Sequence, residues 1–228
     1  MNFFVFFAAL IFCFVEVNKA TESVDISGDF KTVLMYFSEA FLKGAVFNGE
    51  ALEGDNSLTV AQKLVEAIKN VENEYPELPA FEELAHFRVQ LEAGIPIAKE
   101  IKASALNLKN VKLIQEISVS VQSQFMEALN KNGGVVMPTG WLGHSLYLVM
   151  RKGIEQDTID FAFVNTGQGI QYHHHSADPN GVYPKLSQIW MEFKSVKTEE
   201  LFTEEAWFFY GLIALQSEDF KRRLQNFF

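Results

Sequence analysis

The stretch Gly133–His175, GGVVMPTGWLGHSLYLVMRKGIEQDTIDFAFVNTGQGIQYHHH, decides how this chain folds. It holds four of the five histidines and most of the turn chemistry. From His144 to Lys152 the even positions are His144, Leu146, Leu148 and Met150; from Thr158 to Asn165 the odd positions are Ile159, Phe161, Phe163 and Asn165. Side chains two apart line one face of a strand, so each set predicts a strand with one apolar face. A slip of one residue would send a whole set to the other face, so burying both sets together restricts how the hairpin pairs. A loop of Gly153–Gln156 sets Met150 opposite Ile159, Leu148 opposite Phe161, Leu146 opposite Phe163 and His144 opposite Asn165. Directly opposed Cβ atoms lie roughly 4.5–5.5 Å apart. The hairpin is therefore expected to end in a polar pair, an imidazole facing a carboxamide.

Upstream of this hairpin the pattern is helical. Asp29 caps an expected helix from Phe30 to about Phe47. Ser57 opens a second, with Val60, Leu64, Ile68 and Val71 on one side, and Glu74 to Pro79 closes it. A third starts after Pro79 with Phe81, Leu84, Phe87 and Leu91; Gly94 and Pro96 interrupt it, and Ile97–Leu106 forms a short fourth. A last helix from Val111 to Asn130 carries Ile114, Ile117, Val121, Phe125 and Ala128, and Asn132-Gly133-Gly134 stops it. His86 reads as an ordinary helix residue, and Glu72, Glu74, Glu77, Glu82 and Glu83 as a solvated acidic surface.

Downstream, Asn165-Thr166-Gly167-Gln168-Gly169 is a tight turn whose glycines can supply positive φ. Gln171–His175 and Ile189–Val196 read as further strands, and Glu199 to about Gln216 as one apolar C-terminal helix through Leu201, Ala206, Phe208, Phe209, Leu212 and Leu215. The fold class expected is α+β. A helical region, 21–132, packs on a small antiparallel sheet made of the hairpin 144–165 and one to three further strands. A C-terminal helix closes the second region, 133–228, and the two regions are expected to form one compact unit.

At the start of the chain, Phe3–Val15 is an apolar run shorter than the roughly 20 residues a spanning helix needs, followed by Ala20. Residues 1–20 are read as a secretory signal peptide, which makes the protein secreted or extracytoplasmic. Cys13 is the only cysteine, so cleavage after Ala20 leaves no disulfide and no thiolate. The net charge of −10, without a basic stripe, disfavours nucleic acid and anionic membrane surfaces, whose partners need Lys and Arg. With 228 residues, 48% hydrophobic content and 22 Phe, there is ample material for a sizeable core.

A His at the start of a strand, then a hydrophobic hairpin, then Asn165-Thr166-Gly167, resembles the His and Asn half of the papain-like cysteine peptidases. The resemblance spans His144 to about Gly169. It implies a peptidase-type hydrolase fold in which His144 is the base and Asn165 its orienter, with Trp141, Gly143, Gly167 and Gln168 around a peptide-binding cleft. The family's nucleophile is a Cys at a helix start earlier in the chain, and none stands there, so the expected hydrolase is inactive or incomplete. Ser57 sits at a helix start, where Ser is the usual cap.

Two other readings stand beside this one. In an extended segment His173 and His175 point the same way and can share a divalent metal, the one cofactor the sequence allows for. The third reading is a non-enzymatic, effector-type protein that binds another protein or peptide through its helical half.

Overall fold

The computed structural model describes residues 57–74, 81–105, 110–141, 144–165 and 190–216. The signal peptide, the Phe30–Phe47 helix and the Gln171–His175 strand lie outside these residues. The fold is α+β, as the sequence implied. Helices α1 (Ser57–Glu74), α2 (Phe81–Ala105) and α3 (Val111–Asn132) come first. Strands β1 (Gly134–Trp141), β2 (His144–Lys152), β3 (Thr158–Val164) and β4 (Trp190–Lys197) follow, and then the short α4 (Thr198–Leu201) and α5 (Trp207–Leu215). The strands form one antiparallel sheet in the order β1-β2-β3-β4.

Helix α1 begins at Ser57 and buries Val60, Leu64, Ile68 and Val71, the row its spacing predicts. Its neighbour α2 does not: it runs unbroken through Gly94 and Pro96, so the expected interruption and separate Ile97–Leu106 helix are not formed. A mid-helix Pro costs about 3 kcal/mol and a Gly about 1 kcal/mol, and burial outweighs both. Leu84, Phe87 and Leu91 are buried before the Pro, and Ile97, Ala98 and Ile101 after it. The glycine has its own purpose, since a Cβ at Gly94 would overlap the Val136 carbonyl of β1. Helix α3 is bounded as its sequence indicates. The Asn110 side chain accepts from the Leu113 N–H at 3.2 Å, and Gly133, at φ 71°, donates its N–H to the Leu129 carbonyl.

The hairpin forms, but in a different register. Met150 pairs with Phe161, Leu148 with Phe163 and Lys152 with Ile159, so each expected partner is displaced by two positions. The cause is the turn. Gly153–Asp157 separates the strands, Asp157 takes a left-handed φ of 57°, and the Gly153 N–H reaches the Thr158 carbonyl at 2.8 Å. A shift of two preserves which face each residue occupies, so the apolar sets still coincide. One row crosses the sheet as Val135, Met150, Phe161 and Phe193, and the next as Met137, Leu148, Phe163 and Met191.

On that face the sheet shares a single core with α2, α3 and α5. Aromatic rings hold much of it together: Phe161 stacks on Phe193 at 4.7 Å and meets Phe208 edge-on at 5.6 Å, while Phe209 touches Phe208, Phe202 and Phe125 at 5.3, 5.4 and 5.1 Å. Among the described residues, these phenylalanines serve packing. Strand β4 adds a bulge, because Ile159 pairs with Val196 but Phe161 with Phe193. The bulge is anchored by the buried Asp160 carboxylate, which accepts from the Ser195 N–H at 2.8 Å and from the Arg151 guanidinium at 3.0 Å.

The C-terminal helix departs from expectation too. It is broken at Phe202–Ala206, with Ala206 at φ 50° and ψ 40°. Side chains of α3 hold the break: Gln122 donates to the Thr203 carbonyl at 2.8 Å, and Gln115 donates to the Glu205 carbonyl.

Candidate functional site

The end of the hairpin is the first place to look for chemistry. Trp141 and His144 form the last cross-strand pair of β1 and β2. Asn165 follows β3 and is buried, with 4% exposure. One step beyond the Tyr147–Val164 pair, the residue level with Asn165 is Leu146. His144 is therefore not directly opposite Asn165, as the four-residue loop had implied, but its diagonal neighbour. Diagonal positions in an antiparallel pair are roughly 7–8 Å apart. Near this end Thr139 is buried, and the Gln216 amide donates to its hydroxyl at 3.4 Å, a long and weak bond.

Ser57 meets the sheet from the other side. Its carbonyl accepts from the Tyr147 hydroxyl at 3.4 Å, and Tyr147 alternates with Leu146 and Leu148 along β2. Ser57, at the start of α1, thus stands off the face that carries Leu146. Burial pushes the Tyr147 phenol well above its ordinary value, so it is a neutral donor and not a base.

Gly143, Gly167, Gln168, His173 and His175 lie outside the described residues, and so does the proposed metal pair. Among the described residues no group of three or more His, Cys, Asp or Glu is placed to hold a metal ion. His86 is exposed on α2. The acidic surface is less uniform than its composition implies, because Glu72 is engaged. Both its oxygens accept from the Arg88 Nε, at 3.0 and 2.9 Å, and Arg88 also donates to Glu92 at 2.7 Å. Partial burial lowers the Arg88 pKa, but the hydrogen bond and charge of Glu72, with Glu92 behind them, raise it further and win. This cluster ties α1 to α2.

A different surface stands out where α3 meets the broken C-terminal helix. Val111, Gln115, Val119 and Gln122 form one stripe of α3 at helical spacing. The two glutamines clasp residues 203 and 205, whereas Val111 is 64% exposed and Val119 40%. Beside the clasp Trp207 is 62% exposed, its ring edge-on to Tyr210 at 6.1 Å. Glu199, Glu200, Glu204 and Glu205, all exposed, precede it along the chain. Sequence reasoning passed over Trp207, although phase carried a signal. Phe209, Leu212 and Ile213 are the buried face of α5, and a residue two before Phe209 is on the far side.

Compared with known proteins, the chain matches no family model, no curated protein and no solved structure.

Proposed function

We propose that this chain is an exported, non-enzymatic interaction protein of effector type, which binds another protein or peptide where α3 of its helical half meets α5. The observation that carries the reading is Trp207, a large aromatic left 62% exposed beside Tyr210 while Phe209, Leu212 and Ile213 of α5 are buried. Trp is the side chain most often found at the energetic centre of protein interfaces. Burying such a ring against water is favourable, and an exposed apolar group with a polar rim is what a docking surface presents. The helices that carry it meet through Phe125 and Phe209, and the two glutamine clasps hold the bent form in which Trp207 stands exposed. The test is capture of binding proteins from extracellular fluid by residues 21–228 and by the Trp207→Ala variant. Trp207→Ala should keep its melting temperature and lose at least about tenfold in affinity, as interface tryptophans do. Undiminished binding by a folded Trp207→Ala protein overturns the reading.

One observation favours a second reading, the papain-like hydrolase core without its own Cys. It is the burial of Asn165 at the end of the hairpin whose first strand opens at His144. Hydrolysis of peptide or ester substrates that disappears in His144→Ala and Asn165→Ala, but persists in His173→Ala, would establish it. Equal turnover by all of them removes it.

A further inference from the structure

We propose that the joint between α4 and α5 is a strained hinge with a second state, in which Thr198–Leu215 runs as one continuous helix, and that this hinge regulates the Trp207 surface. The regulatory part rests on the interaction reading above; the existence of two states does not.

Three observations at the joint point the same way. The segment that breaks the helix, Phe202-Thr203-Glu204-Glu205-Ala206, contains neither Gly nor Pro. Its last residue is alanine, the strongest helix former, yet Ala206 sits at φ 50° and ψ 40°, where a Cβ collides with the following carbonyl. Further, the break leaves two polar atoms buried without a hydrogen-bond partner, Gln122 Oε1 and Thr203 Oγ1. Both belong to the residues that make the clasp, Gln122 Nε2 donating to the Thr203 carbonyl. That carbonyl also receives the Ala206 N–H at 3.1 Å, a bond that a regular helix would send to Phe202 instead.

What opposes straightening is tertiary. Leu201 is buried, Phe202 packs on Phe209 at 5.4 Å, and the Gln115 and Gln122 amides grip the segment's carbonyls. Local preference and long-range packing therefore pull the same residues toward different conformations, which is the condition for a bistable element. Trp207 is the first residue after the joint, and opening the glutamine clasps changes what it stands beside. A partner that covers Trp207 thus acts on the hinge, and the hinge acts on the partner's affinity, by linkage.

The test needs no partner. NMR relaxation dispersion and saturation transfer on the full chain read exchange at residues 202–207, and the minor-state Cα shift of Ala206 reports whether it is helical. Exchange to a helical Ala206 is expected in the wild type. Ala206→Gly favours the bent form twice over, relieving the left-handed strain and weakening the continuous helix. It should shift the balance on the order of tenfold or more and suppress the exchange. Thr203→Val removes an orphaned hydroxyl from the bent form and should act in the same sense, which keeps the test decisive if the glycine variant folds poorly. Gln122→Ala opens the clasp and should enlarge the minor population. Absence of exchange at these residues, or a minor state indifferent to Ala206→Gly and Thr203→Val, overturns the hinge. That result leaves the Trp207 reading intact, since its own test is the affinity of Trp207→Ala.

Discussion

Tyr147 is the residue whose environment makes the sharpest forecast. Its phenol is buried and donates to the Ser57 carbonyl, and burial raises its pKa above the ordinary value near 10. The folded state therefore holds the proton more tightly than the unfolded chain does. Its contribution is fully present below about pH 10 and is lost as pH climbs from there toward the folded value. Urea melts at about pH 8 and about pH 11 should show the wild type losing on the order of 1 kcal/mol more than Tyr147→Phe between the two. Equal losses would mean that the phenol is solvated. Little of this was visible beforehand. The alternation along β2 placed Tyr147 on the side away from Leu146, but which element covered that side was a long-range fact. The same limit applied to Asn165, whose identity and burial were readable while its cross-strand neighbour depended on one turn residue. Asp157, in a left-handed conformation, closes the turn one position later than expected, so six residues rather than four lie between the paired Lys152 and Ile159 and every partner moves by two.

Among elements, α2 shows best how packing overrules local signals. Gly94 and Pro96 are the strongest breakers a short segment can carry, and the expectation of two helices followed from them. The helix survives because the glycine is what lets it approach β1. Gly94→Ala should therefore destabilise the fold by about 2 kcal/mol through overpacking, although the same change on an exposed helix would stabilise it by about 1 kcal/mol. Thermal or urea unfolding of the variant decides the sign, and a gain in stability would mean that α2 and β1 are not in contact there. Strand β1 itself carries little strand signal, since Gly134, Pro138 and Gly140 within it look like turn chemistry. A strand with a neighbour on one side only can accept a proline, because it need not donate from that residue. In the C-terminal helix the error ran the other way. Periodicity was continuous from Glu199 to Gln216, and nothing local announced the break that Gln115 and Gln122 impose.

For the molecule as a whole, composition proved more informative than motif. Among the described residues the core is aromatic-rich, and the split into helices followed by an antiparallel sheet and a C-terminal helix was legible from period alone. Among the described residues no helix is long and apolar enough to cross a membrane. What the sequence could not carry was the surface, since Trp207 became conspicuous only when its neighbours turned inward. Finally, the Gly94 contact sets how this protein can associate. Carbonyl groups lie in the plane of a sheet, so a helix that meets the Val136 carbonyl lies along the outer rim of β1 and caps it. Among the described residues, the rim left to a foreign strand, including one from a second copy, is that of β4. There a bulge at Ser195 and the exposed Lys194 and Lys197 interrupt the template, the same devices that keep sheet proteins from polymerising into cross-β fibres.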